Sequence, residues 1–132
     1  SAAPSTLGDE VERKASLWRG LADVTVSIDP AIAALTGPVA SRAGDIVEEG
    51  IANAIHHGGA RTISVYAAPD GDDLRIRMVD DGSGPAGGTP GLGSRMLTAC
   101  ALDWSLASTD DGTVLTVRLP LDSRLPSQGV WA

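Results

Sequence analysis

Residues 49–60 read EGIANAIHHGGA, and this stretch decides the fold. Glu49, Asn53 and His57 stand four residues apart in it, a spacing that stacks three polar side chains on one strip of an α-helix. The strip borders an apolar stripe that begins after Pro38, and Gly58-Gly59 ends the predicted helix. The stripe comprises Val39, Ala43, Ile46, Val47, Gly50 and Ala54. The pattern therefore predicts a long helix with polar groups at the edge of the core, although a solvated helix face with a satisfied histidine gives the same pattern.

Stretches of β-type sequence lie on both sides of this helix. Alternation of polar and apolar residues predicts strands at Asp23–Ile28, Arg61–Ala67, Asp73–Val79, Trp104–Ser108 and Thr113–Leu119. A further helix is predicted from Leu7 to Leu21, and a helical turn at Ala31–Leu35. The turn sequence Pro69–Asp72 joins two strands as a hairpin, which excludes a purely parallel sheet. We predict an α+β fold of two layers, with a mixed, mostly antiparallel sheet and helices on one face.

Two glycine-rich loops follow strands or precede helices. Val79–Gly84 reads VDDGSG, so Asp80 stands at the end of a strand and Gly82 allows a sharp turn or close approach to a ligand. A plain turn or an acidic Ca²⁺ loop is the alternative, but the spaced ligands of an EF-hand are missing. Gly91-Leu92-Gly93 precedes a short helical stretch, whose exposed N–H groups form a ready anion site. A P-loop is excluded, because the only lysine, Lys14, is far from either loop.

The composition limits the class of protein. The chain has 132 residues, of which 42% are hydrophobic and 20% charged, as expected for one globular domain. A net charge of −7 argues against nucleic-acid binding. The single cysteine, Cys100, fits a reducing cytoplasm, and no apolar run or signal peptide predicts membrane contact by this domain. We expect a piece of a longer protein, with a linker and helix at 1–21, the main folded domain at 22–121 and a tail at 122–132.

Taken in order, these motifs resemble one family. A helix with Glu-x-x-x-Asn-x-x-x-His, a strand pair, Asp-x-Gly-x-Gly, Gly-x-Gly before a helix and Gly-Thr opening a final strand are similar to the Bergerat-fold (GHKL) ATPases. That superfamily includes gyrase, heat-shock chaperone ATPases, mismatch-repair MutL and histidine kinases. The resemblance covers roughly Asp23 to Leu121. Within it, the chain is most similar to sensor histidine kinases of the nitrate-sensor and desaturase-sensor group, with residues 49–60 as the N-box.

The resemblance implies a phosphate-binding side and a catalytic group. Asn53 would coordinate the Mg²⁺ that bridges the phosphates, and Glu49 would act near the γ-phosphate as a base or to position water. Gly91, Leu92 and Gly93 would close over the phosphates.

The resemblance also implies a base-binding side. Asp80 would accept a hydrogen bond from the adenine amino group, while Gly82 and Gly84 pack against the nucleotide. Thr113 would reach the adenine side through a water. ATP and Mg²⁺ are the implied ligands.

Two residues depart from the family pattern. His56 stands where kinases often carry Lys or Arg, and a histidine is mostly uncharged at neutral pH, which weakens its help to phosphates. His56 and the neighbouring His57 still belong to the nucleotide-binding set that the N-box implies. Ser94 follows Gly93 where many relatives carry an apolar residue. Both departures leave turnover open.

The implied reaction is transfer of the ATP γ-phosphoryl group to a histidine. Both histidines of the chain lie in the N-box, so the acceptor is expected on a separate helical domain of the parent protein, with a response regulator downstream. Because relatives dimerise through that helical part, the isolated domain is expected to be a monomer. Two alternatives stay open: an anti-sigma-factor serine kinase, which would bind a sigma factor directly, and a non-catalytic nucleotide-binding module on the same fold.

Overall fold

The computed structural model describes residues 5–83, 101 and 103–121. The elements along this part of the chain are α1 (Leu7–Ser16), β1 (Asp23–Ile28), α2 (Pro30–Ala33), α3 (Pro38–His56), β2 (Thr62–Asp70), β3 (Asp73–Asp80), β4 (Asp103–Thr109) and β5 (Gly112–Pro120). Every predicted strand is present, and each of the last four extends beyond its predicted bounds.

The strands form one mixed sheet in the order β1-β2-β3-β5-β4. β1 pairs with β2 in parallel, while the β2–β3, β3–β5 and β5–β4 pairs are antiparallel. A parallel pair needs a long crossover, and α2 and α3 supply it between β1 and β2. The tight β2–β3 turn uses Gly71 at a φ of 61°, a conformation that glycine adopts without steric cost. The predicted α+β fold with a mixed, mostly antiparallel sheet is confirmed.

Alternate residues of the central strands bury an apolar face under the helices. In register across the sheet, Val65 lies opposite Met78, which lies opposite Leu115. The next row brings together Ala67, Ile76 and Val117. Helix α3 contacts β2, β3 and β5 on this face, and α1 packs along α3. The result is a helix layer over one face of the sheet, held by burial of apolar surface.

Two glycines of α3 set how closely its neighbours approach. A Cβ at Gly50 would lie 2.6 Å from Met78 Sδ and 3.4 Å from Leu115 Cδ2, so the helix rests directly on the sheet there. A Cβ at Gly44 would lie 3.2 Å from Glu10 Cβ, where α1 crosses α3. Both positions tolerate nothing larger without movement of a neighbour.

The first helix is shorter than its prediction. α1 ends at Ser16, and the chain continues to Ala22 in turns closed by bonds between residues three apart, such as Trp18 N to Ala15 O at 3.1 Å. Leu17, which the predicted helix included, lies in these turns, and 62% of its surface is exposed. The buried stripe of α1 consists of Leu7, Val11 and Ala15. The apolar periodicity did not indicate that the chain changes to tighter turns after this stripe.

The long helix agrees with its prediction in place and orientation. It begins at Pro38, ends at His56 and buries the expected residues Val39, Ala43, Ile46 and Val47. Ile51, which the predicted stripe omitted, is also fully buried, whereas Gly50 is only half-buried. Within the described residues, no helix is both long enough and apolar enough to cross a bilayer.

Candidate functional site

The last turns of α3 carry the polar strip that the sequence predicted. Glu49 is half-buried, while Asn53 and His57 are exposed at the helix edge. His57 caps the helix, and its N–H donates to the Asn53 carbonyl at 2.9 Å. The chain then turns at Gly59, whose φ of 66° is the left-handed conformation common at helix ends. The helix therefore stops just after presenting its polar groups.

Asp80 ends β3 on the same face of the sheet as the helix layer. It lies opposite Ile63 of β2 on one side and Thr113 of β5 on the other. Its Oδ1 accepts a hydrogen bond of 2.7 Å from the Gly82 N–H. Burial raises the pKa of the Asp80 carboxyl, and the Gly82 N–H bond opposes that rise only in part. Asp80 is thus a partly desolvated carboxylate at the end of a strand, with one oxygen already hydrogen-bonded.

Thr113 and the residue before it complete this corner. Thr113 is the one polar residue buried among those described, and its Oγ1 donates to the Gly82 carbonyl at 3.5 Å. Gly112 has a φ of 151°, and a Cβ there would overlap the Asp80 carbonyl oxygen. The Gly-Thr pair is thus explained by its contacts: Gly112 lets β5 begin against the Asp80 backbone, and Thr113 hydrogen-bonds to Gly82 in the loop after β3.

The end of α3 contacts the loop that follows β3. Gly58, two residues past the helix, accepts a hydrogen bond of 2.9 Å from the Ser83 N–H. A Cβ at Gly82 would lie 2.7 Å from the Gly58 carbonyl oxygen. Gly82 therefore allows close approach to the Gly58 backbone, which the sequence did not indicate, and its φ is not positive. The predicted close approach to a ligand stays a prediction. The residues just past α3 and the loop after β3 (residues 81–83, the Asp80 loop) are in direct contact and joined by a hydrogen bond.

The sequence reasoning missed Asp81. Its Oδ1 accepts hydrogen bonds from the N–H groups of Arg61, at 2.7 Å, and Thr62, at 3.0 Å. These bonds, the one from Thr62 first and then that from Arg61, lower the pKa of the Asp81 carboxyl. The Asp-Asp pair in the sequence was a signal that two carboxylates follow β3, but nothing local showed that the second one caps the start of β2.

Glu49 also lines a cleft beside α3. That cleft has a volume of about 360 Å³ and is lined by Trp18, Asp45, Glu48, Glu49 and Ala52. His56, which the N-box resemblance assigns to the nucleotide, makes an edge-on contact with the Trp18 ring at a centroid distance of 5.4 Å and an angle of 74°. The structure thus brings Glu49 and His56 toward Trp18.

The remaining predicted site residues lie outside the described part of the chain. They are Gly84, Gly91, Leu92 and Gly93. Their roles over the nucleotide stay predictions.

The donor chemistry at the end of α3 fits the predicted Mg²⁺. Mg²⁺ prefers hard oxygen ligands, keeps several waters and is usually held by one or two protein groups together with substrate phosphates. The exposed Asn53 side chain supplies one amide oxygen, and Glu49 stands one turn earlier. In the described residues, no group of three or more His, Cys, Asp or Glu side chains could hold a metal ion alone. A metal at Asn53 would therefore arrive with its nucleotide.

Solved structures of histidine kinase domains share this fold. The histidine kinase domain of the blue-light activated histidine kinase EL346 from Erythrobacter litoralis aligns with 92% of the chain and 66% of its own length, at 23% identity and a TM-score of 0.71. The ATP-binding domain of PrrB from Mycobacterium tuberculosis aligns with 92% of the chain and 98% of its own length, at 26% identity and a TM-score of 0.64. The histidine kinase domain of EnvZ from E. coli aligns at 15% identity and a TM-score of 0.63.

The fold and the order of its elements are those of a Bergerat-fold domain in the form found in histidine kinase catalytic domains. The predicted resemblance to that superfamily is thereby confirmed. The chain spans 66% and 43% of the two Erythrobacter litoralis kinase chains that it matches, less than two thirds of either. Neither a protein-family model nor a curated protein sequence matches the chain.

Proposed function

We propose that this domain binds ATP with Mg²⁺ and transfers the γ-phosphoryl group to a histidine on another domain of its parent protein. One observation carries the proposal: the partly desolvated Asp80, bonded to Gly82 beside the buried Thr113, lies next to the end of the N-box helix. This juxtaposition offers an acceptor for a base and oxygen donors for a metal–phosphate group within one fold. The ATP-binding domain of PrrB has the same fold.

The base side selects adenine by hydrogen-bond polarity. The Gly82 N–H holds one oxygen of the Asp80 carboxylate, which orients the group to accept from an exocyclic amine. Adenine presents an amine at that edge, whereas guanine presents a carbonyl oxygen that a carboxylate repels. Partial burial strengthens this discrimination, because an unpaired polar group costs more in a low dielectric.

The phosphate side depends on Asn53 and its metal. Mg²⁺ bound there supplies charge neutralisation for the phosphates. Asn53 orients that charge from the helix edge, and Glu49 stands one turn earlier, where it would take the proton of the incoming nucleophile or position it. His56 adds no fixed cation beside the phosphates, since its ring contacts Trp18.

Transfer breaks the bond between the γ-phosphorus and the bridging oxygen, forms a bond from phosphorus to an imidazole nitrogen and releases ADP. The two histidines of the chain belong to the N-box end, so the acceptor is a histidine outside it. We place the domain in a sensor kinase of the nitrate-sensor and desaturase-sensor group, working in the cytoplasm as a monomeric unit when isolated, with a response regulator as the next acceptor.

A second candidate function is a nucleotide-binding module without phosphotransfer. The contact of His56 with Trp18 favours it, because the position that often carries Lys or Arg holds a ring packed against Trp18. ATP binding without transfer to any added phosphoacceptor domain would support this alternative. Transfer of the γ-phosphoryl group to a serine of a partner protein, rather than to a histidine domain, would instead support the alternative of an anti-sigma-factor serine kinase.

The proposal is tested by calorimetric titration with ATP and GTP, with and without Mg²⁺. Wild type is expected to prefer ATP, and Asp80→Asn is expected to lower the ATP-over-GTP affinity ratio roughly tenfold or more, because hydrogen bonds to charged groups contribute about 1.5–3 kcal/mol. Asp72→Asn removes the same charge from the exposed β2–β3 turn and serves as the matched control. A folded wild type that binds neither nucleotide contradicts the proposal.

The pH dependence of ATP affinity offers an independent check. Because burial raises the pKa of Asp80, its protonation begins at a higher pH than for an ordinary aspartate. ATP affinity should therefore fall on acidification in a step that Asp80→Asn lacks. Identical pH profiles for both proteins would remove Asp80 from the base-binding role.

A further inference from the structure

We propose that Asp81 is a positioning residue that fixes the base-binding half of the site relative to the phosphate-binding half. The base half consists of Asp80, Gly82 and Thr113, and the phosphate half of the α3 end with Asn53. The inference rests on the proposed nucleotide binding. It assigns a role to a carboxylate that need not touch the nucleotide.

Asp81 joins the loop after β3 to the start of β2 by three hydrogen bonds. Its Oδ1 accepts from the Arg61 N–H at 2.7 Å and the Thr62 N–H at 3.0 Å, and its own N–H donates to the Thr62 carbonyl at 3.3 Å. A carboxylate receiving two backbone N–H groups forms short, charge-assisted bonds that define position well. The lowered pKa of Asp81 agrees with a carboxylate held in this way.

The segment that Asp81 holds is the connection leaving α3. Only residues 57–61 separate the helix from β2, so fixing Arg61 and Thr62 restrains the helix end. The same connection meets the loop a second time, where the Gly58 carbonyl accepts from Ser83 N–H at 2.9 Å and Ser83 Oγ at 3.4 Å. Two attachments on either side of Gly82 leave the loop little freedom to shift against the helix.

The connection is also anchored to the edge of the sheet. The Arg61 carbonyl accepts a hydrogen bond of 2.8 Å from the Asp23 N–H at the start of β1. The N–H and the carbonyl of Arg61 are therefore both occupied, one by Asp81 and one by β1. Asp81 thus ties the loop to a fixed part of the sheet.

This arrangement matters for a ligand that spans both halves. A nucleotide with phosphates gains affinity from the second half only if the two halves are already at the right separation. Adenosine uses the base half alone and gains nothing from that separation. A role in coupling therefore predicts a selective loss for the phosphate-bearing ligand, whereas a role in folding alone reduces the apparent affinities for both ligands by the same factor.

The test measures dissociation constants for adenosine and for Mg²⁺-ATP in wild type, Asp81→Ala and Asp81→Asn. The gain in affinity from adenosine to Mg²⁺-ATP is expected to shrink roughly tenfold in Asp81→Ala, since two charge-assisted bonds are lost. Asp81→Asn keeps an amide oxygen for the Arg61 and Thr62 N–H groups and should restore most of the gain. Asp72→Ala, in the exposed turn, is the matched control and should leave the gain unchanged.

An unchanged gain in Asp81→Ala, with wild type binding both ligands, overturns the inference and leaves the proposed function intact. Absence of binding by wild type overturns both. Should Asp81→Ala fail to fold, hydrogen exchange in wild type decides: Mg²⁺-ATP should slow exchange of the Arg61 and Thr62 amides more than adenosine does, and equal protection by both ligands overturns the inference.

Discussion

The two ends of helix α3 have opposite environments. From Val39 to Val47 the helix buries one apolar residue after another against α1 and the sheet. From Glu49 to His57 its polar strip is half-buried or exposed, and Gly58, just beyond the strip, is hydrogen-bonded to Ser83 in the loop after β3. One helix thus contributes stability with its first half and site chemistry with its second.

Gly50 stands at the boundary between these halves. Its missing side chain lets the helix rest directly on Met78 and Leu115 of the sheet. The position of the site end of α3 therefore depends on the close helix–sheet approach at Gly50, which neighbouring core residues establish. Substitutions on either side of Gly50 should therefore affect different properties.

The largest effect on stability is expected at the buried end. Ile46 is 1% exposed, and Ile46→Ala should lower the free energy of unfolding by about 2–5 kcal/mol through lost burial and a residual cavity. Chemical denaturation measures this loss. The nucleotide affinity of the folded protein should stay within a factor of about two of wild type, because Ile46 lies in the buried half of α3, outside the polar strip. Such a change in binding free energy is well under the roughly 1.4 kcal/mol of a tenfold change. A large affinity loss would show that the two halves are not separable.

An intermediate effect is expected at the boundary. Gly50→Ala places a Cβ 2.6 Å from Met78 Sδ, so the flexible end of the Met78 side chain must move, at a cost of about 1 kcal/mol that the helix propensity of alanine largely offsets. In a Met78→Ala background the obstructing atoms are absent, so Gly50→Ala should be more favourable there than in wild type by about 1 kcal/mol. A double-mutant cycle checks this coupling, and strictly additive losses would contradict the contact.

At the site end, Asn53→Ala should leave stability within about 0.5 kcal/mol of wild type, since the side chain is exposed. It should abolish the increase in ATP affinity that Mg²⁺ produces. Calorimetry with and without Mg²⁺ measures that increase, and Ser41→Ala, exposed near the other end of the helix, is the matched control. If Asn53→Ala keeps the full increase in ATP affinity with Mg²⁺, Asn53 does not bind the metal.

The smallest effect is a pH-dependent change at Asp80. Its folded-state pKa is raised above the ordinary 3.8, so its contribution to stability is present below that value and is lost as pH rises through the folded pKa. Asp80→Asn cannot ionise and should gain stability relative to wild type between about pH 4 and neutrality. Unfolding curves across this range measure the difference in the free energy of unfolding. If the stability of Asp80→Asn relative to wild type instead increases as pH falls, the pKa of Asp80 is lowered and not raised by folding.

Much of this architecture could be predicted from the sequence. Helical spacing located α3, and alternation located every strand, because both patterns report directly on which side chains are buried. Where the periodicity was weaker, at Leu17 to Leu21, the predicted helix was too long, since exposed leucines after Ser16 imitate a continuing stripe.

The site could be predicted only as separate motifs. Its assembly depends on register, which places Thr113 beside Asp80, and on long-range bonds such as Ser83 N–H to the Gly58 carbonyl. No local pattern encodes such pairings, which explains why Asp81 was overlooked. The contact between His56 and Trp18 likewise joins residues 38 positions apart in the printed sequence.

The most direct test of the account is the change in backbone amide NMR signals of the labelled domain on titration with Mg²⁺-ATP. We expect large shifts at Asn53, His57, Gly82 and Thr113, and small ones from Val39 to Val47. Shifts confined to the cleft around Trp18 and Glu48, or none at saturating nucleotide, would contradict an ATP site between the end of α3 and the Asp80 loop.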